Sequence, residues 1–370
     1  MEKVSVIIPV FRESDFLEGT LDKFLADRYR KKEIIVAMDE PTEKSLDTVR
    51  KFKKRVTFSV SRTRRGKASA LNEVAKSADG DILFFFDSDN KIPGRRRDAI
   101  SNLVREMSGN EIAEFKTDII KDSRMSKIVS FDYINSNMVS LLYSKFVGMK
   151  PAIGGMAFAI RRESFEELGG FKNVVAEDVD IGWRAFEKGK RYKLVKSVPI
   201  MTKSPSNLKE WFTQRKRWAI GTADWFAKSP GSILTGNVKK APYLTVPSLL
   251  LVLPTLLLGL ISLLISESVL EQIIIFTLAV APLKLIELSG FAFLVISSIT
   301  VLKSLVMYAI GFSISVTSTF VASRLLNQKF GLADFVIFYF LYSPMVLATY
   351  VYGFLSVVVF RNTKLSDWKV

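Results

Sequence analysis

The chain contains no cysteine and no histidine in its 370 residues. The first absence excludes a disulfide framework, and the two together exclude a Cys/His zinc site. Without histidine there is no Ser-His-Asp triad and no imidazole base. Acid–base work then falls to Asp, Glu, Lys or Tyr. Any metal must sit on oxygen ligands, so Mg²⁺ or Mn²⁺ is expected. An export signal is also missing, because Met1 leads within a few residues into "VSVIIPVF", too short and too poorly flanked. The N-terminal portion is therefore expected in the cytoplasm.

What the chain has in excess is positive charge, +16 net. That favours phosphate-bearing ligands, anionic lipid or nucleic acid as partners. The length allows two or three domains, and the character of the sequence changes near Pro242. Upstream, "VSVIIPV" (4–10), "KEIIVAM" (32–38), "VTFSV" (56–60) and "DILFFFD" (81–87) read as buried strands. Helical patterns lie between them, which predicts a doubly wound, mostly parallel α/β sheet. Ligands of such sheets bind at the carboxyl ends of the strands.

Downstream, apolar stretches dominate. Tyr243–Ile265, Val269–Ile286, Leu305–Ser323 and Phe335–Phe360 are each long enough to suggest a crossing, which takes roughly 20 apolar residues. Leu288–Leu302 is shorter and reads as an interfacial helix or an extension of its neighbour. Lys239, Lys240, Arg361, Lys364 and Lys369 flank the outer ends of this block, and Glu267 and Glu271 sit in its first loop. The positive-inside rule places both ends in the cytoplasm, hence an even number of crossings, about four. Arg324 and Lys329 would then fall outside, against the same rule. The expected organisation is a catalytic domain over 1–205, an interfacial amphipathic segment over 206–240, and a transmembrane helical domain over 241–370.

Three clusters carry chemistry. In "FFFDSDN", Asp87 and Asp89 lie two apart at a strand end, where a period of two gives them one face. One or two carboxylates plus substrate phosphates is the usual Mg²⁺ arrangement, although a polar turn has the same sequence. In "AEDVDIGWR", Glu177, Asp178 and Asp180 are more acid than helix capping needs. In a chain without histidine, one of them is the natural general base. In "RTRRGKASALNE", Arg62, Arg64, Arg65 and Lys67 surround Gly66, and the helix that follows could present its N-terminus to an anion. Asp39 ends the second strand, as a turn residue or as a base and ribose contact. Finally, "EWFTQRKRW" places Gln214, Arg217 and Trp218 on one helical face, with Arg215 and Lys216 pointing elsewhere. Trp211, Trp218 and Trp225 recur every seven residues, and the outer two are expected to anchor the helix at a membrane surface.

In this order and spacing the pieces resemble the inverting family 2 glycosyltransferases with the GT-A fold, over Val4 to about Ala219. "VSVIIPVFRE" is similar to the family's first strand and nucleotide loop, "EIIVAMDEPTEKS" to its second strand, and "RRGKASALNEVAKSADGDILFFFDSDN" to the segment entering the metal-binding aspartates. "GGMAFAIRRESFEELGGF" resembles the acceptor-side stretch and "AEDVDIGWR" the catalytic-base segment. "QRKRW" resembles the Gln-x-x-Arg-Trp signature of cellulose, chitin and hyaluronan synthases and of ceramide glucosyltransferase.

The resemblance implies a role for each position. Asp39 would contact the base, with Pro9 and Glu13 beside the nucleoside. Asp87 would lie near ribose and diphosphate, and Asp89 would ligate Mg²⁺ or Mn²⁺. Asp178 would be the base, with Glu177 beside it. Gln214, Arg217 and Lys67 would hold the diphosphate, and Trp218 would pack on the acceptor. The implied reaction is one-step inverting transfer from a nucleotide-diphosphate sugar, UDP first, to a membrane lipid or lipid-linked acceptor at the cytoplasmic face. A processive polysaccharide synthase is the alternative. Here Met38 precedes Asp39, and "EPTE" replaces the family's usual glycine turn. A nucleic-acid binder would explain the charge but neither the ordered carboxylates nor the apolar block. A transporter would explain only that block.

Overall fold

The structure, a computed structural model, describes residues 1–94, 97–228, 240–254 and 283–361. Four strands open the chain: β1 (Val4–Phe11), β2 (Lys32–Asp39), β3 (Thr57–Ser61) and β4 (Ile82–Phe86). They pair in parallel in the order β3-β2-β1-β4. Helices α1 (Leu17–Leu25), α2 (Glu43–Phe52) and α3 (Lys67–Ser77) make the crossovers. β1, β2 and β4 read as apolar runs because both faces of the sheet are covered there, whereas β3, expected to be buried, is a partly exposed edge strand. "FFF" shows the division. Phe84 and Phe86 enter the core under α1, where Phe24 meets their edges at 5.7 and 5.2 Å, while Phe85 enters the core under α3.

The second half of the sheet departs from the expected parallel order. Beyond β4 lie β7 (Ala157–Arg161), β6 (Ile112–Ile119), β8 (Tyr192–Thr202) and the two-residue β5 (Asn90–Lys91). β7 runs antiparallel to both β4 and β6, β8 is parallel to β6, and β5 is antiparallel to β8. The sheet is thus mixed rather than mostly parallel. The reason is local: β7 enters from the loop after α5 (Arg124–Phe146) and lies beside β4 head to tail, an arrangement that strand periodicity cannot encode. Helices α4 (Ala99–Met107), α6 (Arg162–Glu167) and α7 (Glu177–Glu187) complete this half, and α8 (Leu208–Lys228) follows it.

Three further helices follow among the described residues: α9 (Pro242–Val252), α10 (Leu283–Leu325) and α11 (Leu332–Val359), the last including π-helical turns at Phe338–Tyr342 and Leu355–Val359. Leu305–Leu325 and Leu332–Val359 are long and apolar enough to cross a membrane, by length and composition alone. They coincide with the third and fourth expected spans. Leu288–Leu302 is an extension of the third, continuous with it in α10. Of Tyr243–Ile265 the structure describes only the part up to Pro254, and most of Val269–Ile286 lies outside the described residues.

Candidate active site

The parallel strands end around a cavity of about 280 Å³, lined by Pro9, Val10, Phe11, Ala37, Asp39, Arg64, Gly66, Lys67, Ala70, Asp87, Ser88, Asp89 and Arg217. It sits where the order β2-β1-β4 reverses direction of winding, the expected ligand crevice of such a sheet. Six of the residues to which the resemblance gives a role meet here, Pro9, Asp39, Lys67, Asp87, Asp89 and Arg217, together with Arg64 and Gly66 of the basic loop. Glu13 and Gln214 do not line the cavity. Glu13 is exposed on the loop after β1, where its carboxylate accepts a hydrogen bond from the Thr42 hydroxyl at 3.2 Å.

Asp39 is buried at the end of β2, and its carboxylate organises the loop before α3. It accepts from the backbone N–H groups of Arg65 (2.9 Å) and Gly66 (3.1 Å) and from the Arg65 guanidinium (2.8 Å). The anion at the start of α3 is therefore the protein's own carboxylate. Two flanking residues adopt left-handed backbone, Arg12 (φ 60°) and Glu40 (φ 50°). They are held by bonds from Arg12 N–H to the Asp39 carbonyl and from Glu40 N–H to the Ser61 carbonyl, both 2.9 Å. Such strain is sustained only where the surroundings fix it, and it collects at functional loops.

Asp87 and Asp89 reach the cavity by a turn. β4 stops at Phe86, and the Asn90 N–H closes back on the Asp87 carbonyl at 3.1 Å. The strand period expected to align the two carboxylates is therefore replaced by turn geometry. Lys67, in the first turn of α3, joins the clusters. Its ammonium lies 2.8 Å from Asp87 Oδ1 and 3.2 Å from Glu177 Oε1. Burial alone would lower this ammonium, but the charges of Asp87, Glu177 and Asp178 outweigh it and hold its pKa above the ordinary lysine value. For Asp87, burial raises the carboxyl against the pull of Lys67, and Asp89 and Glu177 add to the rise, to about 7. The site thus carries more negative charge than its lysine neutralises.

Asp178 lies in the first turn of α7. Its Oδ2 accepts from the Gly155 N–H at 2.7 Å and its Oδ1 from the Val179 N–H at 2.9 Å. Burial, and then the charge of Glu177, push it up to about 6, against Lys67 and these two N–H groups. A carboxyl poised there is suited to general-base work near neutrality. The third acid, Asp180, is taken up by Arg184 at 2.6 Å, within α7. Glu177 is buried and paired with Lys67, so it backs the site rather than facing an acceptor.

On α8 the expected division of faces holds only in part. Arg217 lines the cavity, while Trp218 is half-buried and stacks on the Arg215 guanidinium, 4.4 Å from its ring centre. Arg215 does point elsewhere, inward: it is buried and reaches Asp132 on α5 and the Tyr342 hydroxyl on α11, each at 2.8 Å. Tyr342 in turn donates to Asp132 at 2.7 Å and accepts from the Trp211 indole N–H at 3.2 Å. Trp211 is fully buried, which corrects its reading as a surface anchor. α11 covers Trp211. Trp225 likewise packs edge-on against Trp183 of α7 at 5.8 Å.

Sequence reading missed Phe11 and the way the loop before β7 braces Asp178. Phe11 ends β1 and is 44% exposed beside the cavity, with the Arg64 guanidinium 4.4 Å from its ring centre. An exposed phenylalanine at a strand end was the available signal. The loop 148–156 is held by Glu114, which accepts from Lys150 (2.6 Å), Tyr192 (2.8 Å) and the Gly154 N–H (3.2 Å). Its Gly155 then meets Asp178. Only the pair of glycines hinted at so close an approach.

Residues 5–169 match the family described as Glycosyl transferase family 2. Over 235 residues the chain is 28% identical to the probable glycosyltransferase YdaM of Bacillus subtilis, covering 60% of this chain and 55% of that protein. Over 228 residues it is 25% identical to the poly-beta-1,6-N-acetyl-D-glucosamine synthase of Staphylococcus aureus, with the same coverages of 60% and 55%. The chain thus spans about half the length of the curated relatives it matches. Among solved structures it shares the fold of the mannosyltransferase PcManGT from Pyrobaculum calidifontis in complex with GDP-Man and Mn²⁺, with a TM-score of 0.50 and 22% identity over 84% of this chain and 86% of that one. The mixed sheet is of the GT-A type, and residues 5–169 are similar in sequence to family 2 glycosyltransferases.

Proposed function

We propose that this chain is a metal-dependent, inverting glycosyltransferase using a nucleotide-diphosphate sugar, with a UDP-sugar as the first candidate. The carrying observation is the cavity that unites Pro9, Asp39, Lys67, Asp87, Asp89 and Arg217, linked through Lys67 and the buried Glu177 to the half-buried Asp178. The base lies toward Phe11, Asp39 and the Arg64–Arg65 loop. The diphosphate lies toward Lys67 and Arg217, which supply its positive partners, and Gln214 stands behind Arg217 on α8. Asp178 takes the proton of the acceptor hydroxyl as its oxygen attacks the anomeric carbon. The bond from that carbon to the diphosphate breaks, and its electron pair leaves with the nucleotide. One displacement inverts the anomeric centre.

The residues fit a divalent cation shared with substrate rather than caged by protein. No group of three acidic, histidine or cysteine ligands exists among the described residues, yet Asp89 is exposed at the cavity beside the charge-crowded Asp87. A cation on one or two carboxylates and a diphosphate is the habit of Mg²⁺ and Mn²⁺. When bound it would offset the charge developing on the leaving group.

The organisation that supports this reading is a catalytic domain over 1–205, an interfacial segment over 206–240, and an apolar anchor over 241–370 in the cell membrane. Placed so, Asp178 and Trp218 meet a membrane lipid or lipid-linked acceptor at the cytoplasmic face. The similarity to a poly-β-1,6-N-acetylglucosamine synthase favours a second reading, processive polymer synthesis. Purified protein incubated with a panel of labelled nucleotide sugars and extracted lipid tests both. Organic-extractable product of small fixed size supports lipid glycosylation, long water-soluble product supports the synthase, and no nucleotide release from any donor overturns both.

A further inference from the structure

The last apolar helix, α11, has the length and composition of a membrane span, yet its surroundings assign it another place. Between Asp334 and Arg361 it carries no charged residue. Tyr342 bonds to Trp211 and Arg215, Gly353 sits so close to Ala219 that an added Cβ would come within 2.6 Å of the Ala219 carbonyl carbon, and Val357 shares an apolar cluster with Ile220 and Ala223. The pairing advances in the same direction along both helices. From Tyr342 to Val357, about 22 Å at 1.5 Å per residue, α11 therefore lies lengthwise along α8. Helix α8 carries Lys209, Glu210, Lys216, Arg217, Asp224 and Lys228 and belongs to the catalytic site, so it cannot enter a bilayer core. What lies flush along it cannot cross either.

The turn before α11 points the same way. Lys116 on β6, a buried lysine, donates to the Leu326 carbonyl at 2.8 Å, and Lys121 donates to the Lys329 carbonyl at 3.3 Å. The Gln328 amide bonds to Asp118, and Thr319, near the end of α10, bonds to Asn135 of α5 at 3.1 Å. The segment 326–331 is thus seated on the catalytic domain. At the start of the apolar block, Lys240 is seated there too, donating to the Phe186 and Glu187 carbonyls at 2.7 and 2.9 Å. Both points lie on one side of any membrane.

We infer that α11 is a monotopic helix lying in the cytoplasmic surface of the bilayer, with the turn 326–331 on the catalytic side. The inference rests on the membrane-anchored reading given above. The occupant of its outer face is lipid. Val336, Leu341, Val351, Leu355 and Val358 are exposed along α11 on the side away from α8, a continuous apolar stripe. Arg324, Lys329 and Arg361 stand at its two ends, where anionic headgroups complement them. The same arrangement returns Arg324 and Lys329 to the cytoplasmic side and removes their conflict with the positive-inside rule.

Because the chain has no cysteine, each introduced thiol is the only one present. Lys54→Cys on the catalytic domain, Lys329→Cys and Arg361→Cys are labelled with a membrane-impermeant maleimide in inverted and right-side-out vesicles. All three should react in inverted vesicles and be protected in right-side-out ones. Lys329→Cys reacting from the face opposite to Lys54→Cys overturns the inference, and so does Arg361→Cys reacting from that face. Spin labels at positions 336, 341, 351 and 358 should report one shallow depth. A depth passing through a maximum in mid-helix also overturns it. Release of the unmodified protein by alkaline carbonate overturns the membrane anchor itself, a result distinguishable from wrong sidedness in retained protein.

Discussion

Gly155→Ala isolates the placement of the proposed base from its chemistry. The Gly155 backbone is not in the left-handed region, so alanine is conformationally acceptable there. Its Cβ, however, would lie 2.6 Å from Asp178 Oδ2 and 3.1 Å from the Asp178 Cβ and Cγ. Ordinary contact begins at 3.4 Å, so the carboxylate must retreat by 3.4 − 2.6 = 0.8 Å and loosen its 2.7 Å bond from the Gly155 N–H. A misplacement near 1 Å costs about 10²-fold in rate, less than or equal to the ~10²–10⁴ expected of Asp178→Asn, which removes the base. Donor binding lies on the other side of Lys67 and should be unchanged, so the loss appears in kcat. The pH profile supplies a second readout. The parent's kcat/KM should rise with pH through about 6, as Asp178 loses its proton. In Gly155→Ala the midpoint should move up, because an N–H that favours the charged carboxylate is weakened. The assay is nucleotide release at saturating donor from pH 5 to 8, with donor affinity measured by calorimetry. A variant with parental kcat and an unmoved midpoint would refute the assignment of Asp178 as base or of Gly155 as its support.

Asp89→Ala should abolish the Mn²⁺-dependent part of nucleotide binding, and unchanged calorimetric affinity in Mn²⁺ would remove Asp89 as the ligand. Trp211→Ala, emptying a fully buried site, should cost about 3–5 kcal/mol of stability, whereas Trp218→Ala should spare the melting temperature and raise KM for acceptor; equal effects on both measurements would contradict the division. Asp178→Asn should melt at a higher temperature than the parent at pH 7–8. The sign follows from a folded pKa of about 6 against 3.8 unfolded, which removes stability as pH rises through that interval; equal melting there counts against the raised pKa. Gly353→Val should separate α11 from α8, since even a Cβ meets the Ala219 backbone at 2.6 Å, and would show as new protease cleavage near residue 330.

The order of strands and helices up to β4 was legible in the sequence because strand burial there depends on local pattern: apolar runs such as "VSVIIPV" and "ILFFF" are buried on both faces and need no distant information. The gathering of Asp39, Asp87 and Asp89 at one sheet edge was likewise legible, since each stands where an apolar strand gives way to a polar end. The reversed β7 was not, because its pairing with β4 joins segments over seventy positions apart and leaves no periodic trace. The same holds for the inward turn of Arg215 and Trp211. A heptad of tryptophans fixes which residues recur along a helix, but what covers Trp211 and Arg215 is decided by α11, more than a hundred residues later. Composition determined that any acid–base chemistry would fall to Asp, Glu, Lys or Tyr and any metal to oxygen. Only tertiary structure decided that Lys67 would bridge Asp87 and Glu177, that a glycine would brace Asp178, and that an apolar helix long enough to span a membrane would lie along a charged one. Those outcomes depend on which surfaces meet, and a one-dimensional pattern specifies a surface without its partner.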